Sequence, residues 1–238
     1  MSPATKSLAV SRPEVPPGLT AIPIRTSLVR PGDDVVEIVA RAIAGIARPG
    51  DVVAVSESAV AIAQGELIGA EHIRPTRLAY ALARRAGPMA TISQPESMQL
   101  VIDRAGRWKV IGATLLQLVA RALGRRGAFY EVMGEAIAAF DGYTGTMPPY
   151  ERAIVLAPRD PKGVAQTLCE RTGIAAAVVD ANDLAAAKVL GSSRGVRSEN
   201  VVAALLDNPH GNSDEQTPIV VFKWRGNGSN PLLHAAAA

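Results

Sequence analysis

Carboxylates set beside turn residues are the side chains of this sequence best suited to chemistry. Four short segments carry them: Gly32-Asp33-Asp34, Asp141-Gly142-Tyr143, Asp180-Ala181-Asn182-Asp183 and Ser213-Asp214-Glu215-Gln216. Magnesium and manganese favour carboxylate oxygens, and phosphate oxygens commonly complete their shell. Two carboxylates from different strand ends plus a nucleoside triphosphate would therefore form a chemically coherent site.

Each segment also has a plainer use. Asp33 and Asp34 precede a helix-periodic run, where aspartate accepts from free backbone N–H groups and suits the positive end of the helix dipole. Capping is the preferred reading for that pair, because two carboxylates would repel a bare phosphate at the helix start. Asp141 stands in a Gly-rich turn, Phe140-Asp141-Gly142-Tyr143-Thr144-Gly145. Asp180 follows Ala-Ala-Ala-Val-Val, a run with the look of a strand buried on both faces, and a carboxylate at such a C-terminal end is often aimed into a cleft. Alternatively, Asp180 or Asn182 caps a following short helix. Ser213 to Pro218 is either a solvated loop or a ligand contact.

Other chemistries lack their signatures. There is no Walker motif, Gly-x-Gly-x-x-Gly, zinc-ligand spacing or Gly-x-Ser-x-Gly. His72, His210 and His234 are isolated in sequence, which favours surface or hydrogen-bonded roles. The single cysteine, Cys169, excludes an internal disulfide and reads as a buried thiol on a helix face, with no neighbouring His or Gly-rich turn to activate it.

The elements that must position these groups alternate between strand and helix. Leu19 to Ile24 reads as a first strand, and Pro23 places it at a sheet edge. Val35, Val36, Ile38, Val39, Ala42, Ile43 and Ile46 have helical spacing, stopped by Pro49-Gly50-Asp51. Val52-Val53-Ala54-Val55 is a short buried strand ending at Ser56-Glu57-Ser58. A helix is expected near residues 75–86, a strand over Met98–Asp103 and a hairpin turn at Arg104–Arg107. Residues 112–126 and 129–139 read as helices, the first closed by Arg125-Arg126-Gly127. Ala153–Leu156 and Ala175–Val179 are buried strands separated by a helix from Asp160 to about Thr172. Val201–Leu206 is a short helix and Ile219–Trp224 the last strand. The whole is a mixed α/β chain.

The 238 residues suit one domain, or one domain with a lobe. With 48% hydrophobic and only 4% aromatic residues, Ala, Val, Ile and Leu must fill the core. A formal charge of +3 permits an anionic ligand without demanding nucleic acid. Ser2-Pro3-Ala4-Thr5-Lys6 lacks the apolar stretch of a signal peptide, and no apolar run approaches the ~20 residues of a membrane helix. A cytoplasmic protein without membrane partners is the expectation. The boundaries expected are a flexible lead-in over 1–18, a domain over 19–226 with a divergent helical insertion at 104–140, and a flexible tail over 227–238.

The order of the segments is more specific than any one of them. Gly32-Asp33-Asp34, then Gly50-Asp51-Val52-Val53-Ala54-Val55-Ser56-Glu57-Ser58, then Ala63-Gln64-Gly65, resembles the start of the coenzyme F420-0:gamma-glutamyl ligase family. Leu156-Ala157-Pro158-Arg159-Asp160-Pro161 is similar to that family's Leu-Pro-x-Asp-Pro stretch. Val178-Val179-Asp180-Ala181-Asn182 is similar to its strand ending in Asp-Thr, and Ser213–Pro218 to its nucleotide loop. The resemblance implies the family's own α/β fold, a mixed sheet with flanking helices, and usually a homodimer. It also implies a GTP-dependent ligase using Mg2+ or Mn2+, which joins L-glutamate to a deazaflavin acceptor through an acyl phosphate. Carried over by position, Asp141 and Asp180 match metal ligands. Thr26, Ser27, Leu28 and Val29 match one nucleotide-contacting stretch, Glu57 and Ser58 a second, and Ser213, Asp214, Glu215, Gln216, Thr217 and Pro218 a third. Departures fall at ligand positions. Ile62 stands where the family has Lys, Ala181 where it has Thr, and Asp214-Glu215-Gln216 where glycines are usual. The Asn-Ala-Gly-Ile-Asp segment expected before Asp141 is replaced by Ala138-Ala139-Phe140.

Overall fold

The computed structural model describes residues 18–86, 91–125, 127–137, 140–141, 148–182, 186–211, 216–226 and 228–234. Two compact units divide the chain: Met1–Thr26, Val36–Ser56 and Asp160–Ala238 form the first, Ser27–Val35 and Glu57–Arg159 the second. The expected mixed sheet with flanking helices is present.

The first unit is built on a five-stranded sheet. Its strands are β1 (Leu19–Ile24), β2 (Val52–Ser56), β6 (Ala175–Asn182), β7 (Ala186–Ser192) and β8 (Ile219–Trp224), in the order β1-β8-β2-β6-β7. β2 and β6 run parallel, and the other pairs are antiparallel. Pro23 lies on an edge strand, where a missing N–H costs no ladder bond. Val52–Val55, Ala176–Val179 and Ile219–Phe222 are buried throughout. Sheet and helices cover both faces of these strands, so their sequences are continuously apolar rather than alternating. Alternation still sorts the faces. Val52, Ala54, Ala177, Val179, Val220 and Phe222 pack with Val201, Ala204 and Leu205 of α8 (Ser198–Leu205) and with Leu232.

Helix α7 (Pro161–Thr172) lies along β6 and β7. Asp160, itself at φ 42°, accepts from Gly163 N–H at 2.9 Å, Pro161 takes the first helical turn, and Gly173 at φ 70° ends the helix. At Gly191 on β7 a Cβ would stand 2.3 Å from the Lys162 backbone nitrogen, so only glycine admits this approach. Helix α1 (Val35–Ile43) buries Val35, Val39 and Ile43. Arg171 of α7 makes an ion pair with its Glu37. Cys169 is half-buried on α7 rather than fully enclosed.

The second unit joins a small antiparallel sheet to a layer of helices. β3 (Leu67–Gly69), β5 (Ala153–Leu156) and β4 (Phe140–Asp141) pair in the order β3-β5-β4, with α2 (Glu57–Ala63) against β5. The helices are α3 (Arg77–Ala83), α4 (Pro95–Ala105), α5 (Arg107–Ala122) and α6 (Ala128–Ile137). Their shared core holds Ala79, Leu82, Met98, Val101, Ile102, Val110, Ala113, Phe129 and Met133, with Ile154 of β5.

Two expectations are corrected here. Met98–Asp103 is not a strand but the centre of α4, and Arg104–Arg107 is a helix-to-helix junction at Gly106, φ 83°. Met98, Val101 and Ile102 lie at i, i+3 and i+4 on one buried face, and Pro95 opens the helix. A short apolar run fits either template until its partners are known. The second correction is that, among the described residues, strand and not helix follows Asp180. β6 continues to Asn182, and β7 returns beside it. Alanine is a poor strand former, which hid β7 in the Ala-rich stretch before Lys188.

Candidate active site

One end of the five-stranded sheet gathers several of the residues singled out above. β1 finishes there at Ile24, which pairs with Ile219 at the start of β8. Two residues on, Thr26 N–H donates to the Gln216 carbonyl at 3.0 Å. Beside them Ser56 N–H donates to the Pro218 carbonyl at 2.8 Å. Ser56 in turn stands opposite Val179 in the parallel β2–β6 ladder, and Asp180 follows directly. Thr26, Ser56, Gln216–Pro218 and Asp180 thus share one sheet end, where the carboxyl ends of the parallel pair lie.

Asp180 is the acid of this group. Val178 and Val179 behind it are fully buried, and the ladder shifts register between them. Such an irregularity re-aims side chains at a strand end. Protein packed around Asp180 disfavours its charge and raises the carboxyl above its ordinary value, while Lys188, its ladder partner on β7, pulls it down. By surface area the residue is exposed, so the crowding is partial. A cation beside it would reverse the shift. Ala181, in the family's Thr position, packs against the α8-side core instead of offering an oxygen.

The loop before β8 is clasped at its base. His210 Nδ1 lies 3.0 Å from the Thr217 carbonyl, and Thr217 Oγ1 donates to the His210 carbonyl. Nε2 is enclosed, without a hydrogen-bond partner among the described residues. Burial lowers the imidazole's affinity for a proton, and the bond to Thr217 opposes that shift. Gln216 adopts φ 53°, a left-handed turn in the position where the family favours glycine. Ser213, Asp214 and Glu215 lie outside the described residues.

In the second unit the stretch Ser27–Val29 is pinned by Tyr150, whose hydroxyl donates to the Val29 carbonyl at 2.9 Å. Burial raises the phenol's pKa, Arg30 lowers it and Asp33 adds to the rise. Asp33 Oδ2 accepts from Arg30 N–H at 2.7 Å and so closes its own turn, while Gly32 N–H donates to the Ala63 carbonyl. Glu57 and Ser58 open α2, both half-buried. Ile62 is 8% exposed, so the position that holds Lys in the family is here part of the packing. Gln64 exchanges two hydrogen bonds with the Arg159 backbone, and Arg159 pairs with Glu66. Asp141 stands on β4, in register with Val155. Among the described residues, no group of three or more His, Cys, Asp or Glu is placed to hold a metal ion.

Sequence reasoning missed Tyr150, Lys188 and the His210–Thr217 clasp. Tyr150 and His210 act through backbone carbonyls, 121 and seven residues away, and a carbonyl leaves no pattern in the sequence. Lys188 was hidden with its strand.

Known proteins share sequence with much of this chain. The model of the F420-0:gamma-glutamyl ligase family matches residues 23–183. That span contains Thr26–Val29, Glu57, Ser58, Asp141 and Asp180, and stops short of the loop before β8. A coenzyme F420:L-glutamate ligase of Methanopyrus kandleri is 29% identical over 143 residues, 60% of this chain and 49% of that protein. The chain thus spans about half the length of that curated relative.

Proposed function

The chain belongs to the F420-0:gamma-glutamyl ligase family, and on that premise we propose that it is a nucleotide-dependent ligase adding L-glutamate to the deazaflavin precursor F420-0. The observation that carries the proposal is the meeting of Thr26, Ser56, Gln216–Pro218 and Asp180 at one sheet end. In the proposed reaction an acceptor carboxylate oxygen takes the γ-phosphoryl group of GTP, and GDP leaves. The glutamate amine then attacks the acyl carbon, forming the amide and releasing phosphate and a proton.

The chain's own part is positioning and electrostatics. The Thr26–Gln216 and Ser56–Pro218 bonds fix the base of the proposed nucleotide loop to the sheet. In the second unit, Tyr150 fixes the Ser27–Val29 stretch, and Glu57 and Ser58 supply half-buried polar groups. Asp180 fits a hard divalent ion, because it is a carboxylate in a setting that penalises an uncompensated charge. It would offer one oxygen ligand to Mg2+ or Mn2+, whose contribution when bound is to neutralise phosphate charge. Such a reaction draws on cytoplasmic nucleotide and glutamate. Among the described residues no helix is long and apolar enough to cross a membrane.

A second reading is a nucleotide or metabolite binder without catalysis, or a ligase for another acceptor. It is favoured by Ile62 and Ala181, both given over to packing. The deciding experiment incubates the protein with GTP or ATP, Mn2+ or Mg2+, glutamate and F420-0, and follows the acceptor by mass spectrometry. A nucleotide-dependent gain of one glutamyl unit is expected. Nucleotide binding with no product would support the second reading.

A further inference from the structure

A one-residue irregularity decides what stands beside Asp180. Along the β6–β7 ladder Val178 pairs with Gly191, but Val179 pairs with Val189 and Asp180 with Lys188. Leu190 is the extra residue on β7, a β-bulge. In an unbroken ladder Val189 would stand opposite Asp180. The slip exchanges that apolar partner for a cation, because side chains alternate between faces along a strand.

The neighbours fix which face the pair occupies. Val179 and Ala181 on β6, with Ala187 and Val189 on β7, all pack against the α8-side core. Asp180 and Lys188 lie between them in sequence and so point to the other face, as a cross-strand pair. Lys188 is exposed, and its charge is near enough to favour the ionised form of Asp180. Among the described residues its ammonium has no ion-pair or hydrogen-bond partner. The charge is therefore not taken up by a protein carboxylate.

The residues gathered at this sheet end are otherwise neutral or acidic. Thr26, Ser56 and Gln216–Pro218 offer hydroxyls, an amide and backbone groups, and Asp180 offers a negative charge. Arg25 follows β1, but β1 is the opposite edge strand, three strand spacings or about 14 Å from β6. Lys188 is one spacing from β6, about 5 Å. A carboxylate by itself repels phosphate, and a cation beside it restores attraction. The lysine ammonium is a compact charge with rotatable donors on a flexible stem, which suits phosphate oxygens.

We propose that Lys188 binds the phosphate chain of the nucleotide, and that the β7 bulge is what brings it to the site. The inference rests on the nucleotide-dependent reading given above and adds the residue that recognises the polyphosphate. A lysine on an edge strand also guards a sheet against pairing with another chain. Guarding requires only exposure, whereas the bulge selects the position opposite Asp180.

The test is isothermal titration calorimetry of the full chain with GTP, GDP and GMP in the presence of Mn2+. Lys188→Met keeps the aliphatic stem and removes the charge, and Lys188→Arg keeps the charge. Lys188→Met should weaken GTP binding about tenfold or more, with a loss that shrinks toward GMP and an unchanged thermal midpoint. Lys188→Arg should recover most of the affinity. Wild-type GTP affinity in Lys188→Met would overturn the proposal and leave the ligase reading standing. If that variant instead raised KM for glutamate or F420-0 alone, Lys188 would belong to a substrate carboxylate and the phosphate assignment would fall. An equal loss for all three nucleotides with a lowered thermal midpoint would make Lys188 structural, against the proposal. A wild-type chain that binds no nucleotide would sink the ligase reading and this inference together.

Discussion

The central strands of the first unit and helix α5 of the second have similar side chains and opposite surroundings. β2, β6 and β8 carry unbroken apolar runs because sheet neighbours and helices cover both faces. α5 carries apolar residues on both sides, yet among the described residues only one side is covered. Apolar sequence therefore says that a surface is to be covered, and topology decides whether the cover comes from the same chain. In the first unit the covered strands leave only their polar ends free, and those ends hold the candidate site.

The largest expected effect tests the covered side of this contrast. Phe222 is fully buried on β8 among residues of β2, β6 and α8. Phe222→Ala should cost about 3–5 kcal/mol by transfer loss and cavity formation, read from urea unfolding. Leu118→Ala should cost under about 0.5 kcal/mol in a dilute monomer, because an exposed side chain leaves no cavity. A Leu118 effect that grows with protein concentration would sharpen the comparison. A Phe222 effect no larger than that of Leu118 would break it.

At the strand end the prediction concerns activity rather than stability. Asp180→Asn should lower glutamyl transfer about 10²-fold or more if the carboxylate holds the metal and phosphate charge in place. Stability near neutral pH should hold or rise. The raised carboxyl makes ionisation of Asp180 unfavourable in the fold, so its cost appears as pH climbs from the unfolded toward the folded pKa, and Asn removes it. Unchanged turnover with a clear loss of stability would make Asp180 a structural residue.

Gly191→Ala comes next, at about 1–3 kcal/mol of overpacking. The added carbon meets Lys162 and Pro161 backbone, which have no side-chain freedom to yield. Thermal unfolding would measure it, and a neutral result would show that α7 can move off β7.

Much of this arrangement was legible beforehand, for physical reasons that differ by element. β2, β6 and β8 announced themselves as short apolar runs ending at turns, and Pro23 marked the edge strand. α7 carried its own cap, Pro and terminal Gly. The hairpin β6–β7 was not legible, because alanine gives no strand signal and pairing is a tertiary event. The run at Met98 was ambiguous in period and resolved by packing on Met133 and Phe129. Of the site, Asp180 and the polar strand ends could be seen. Ile62 and Ala181 could be seen to depart from the family, but their packing roles could not. Tyr150 and His210 were silent because their partners are carbonyls, which every residue has.

The smallest effect belongs to His210, at the base of the loop before β8. Its folded-state pKa is depressed, chiefly by burial. An unfolded chain takes up the proton near pH 6.5, whereas the folded one resists it to lower pH. Unfolded chains therefore bind more protons in that window, and stability falls as pH drops below about 6.5. Above it the ring is neutral in both states and contributes no slope. His210→Asn retains a short side-chain amide able to reach the Thr217 carbonyl while removing the titration. The variant should lose part of the wild type's decline between about pH 6.5 and 5, seen as unfolding midpoints that converge less steeply on the acid side. The same decline in both proteins would mean that the clasp is already open before the chain unfolds. Stability in the first unit would then reside in the covered strands alone, with the site loop following as a separate, weaker element.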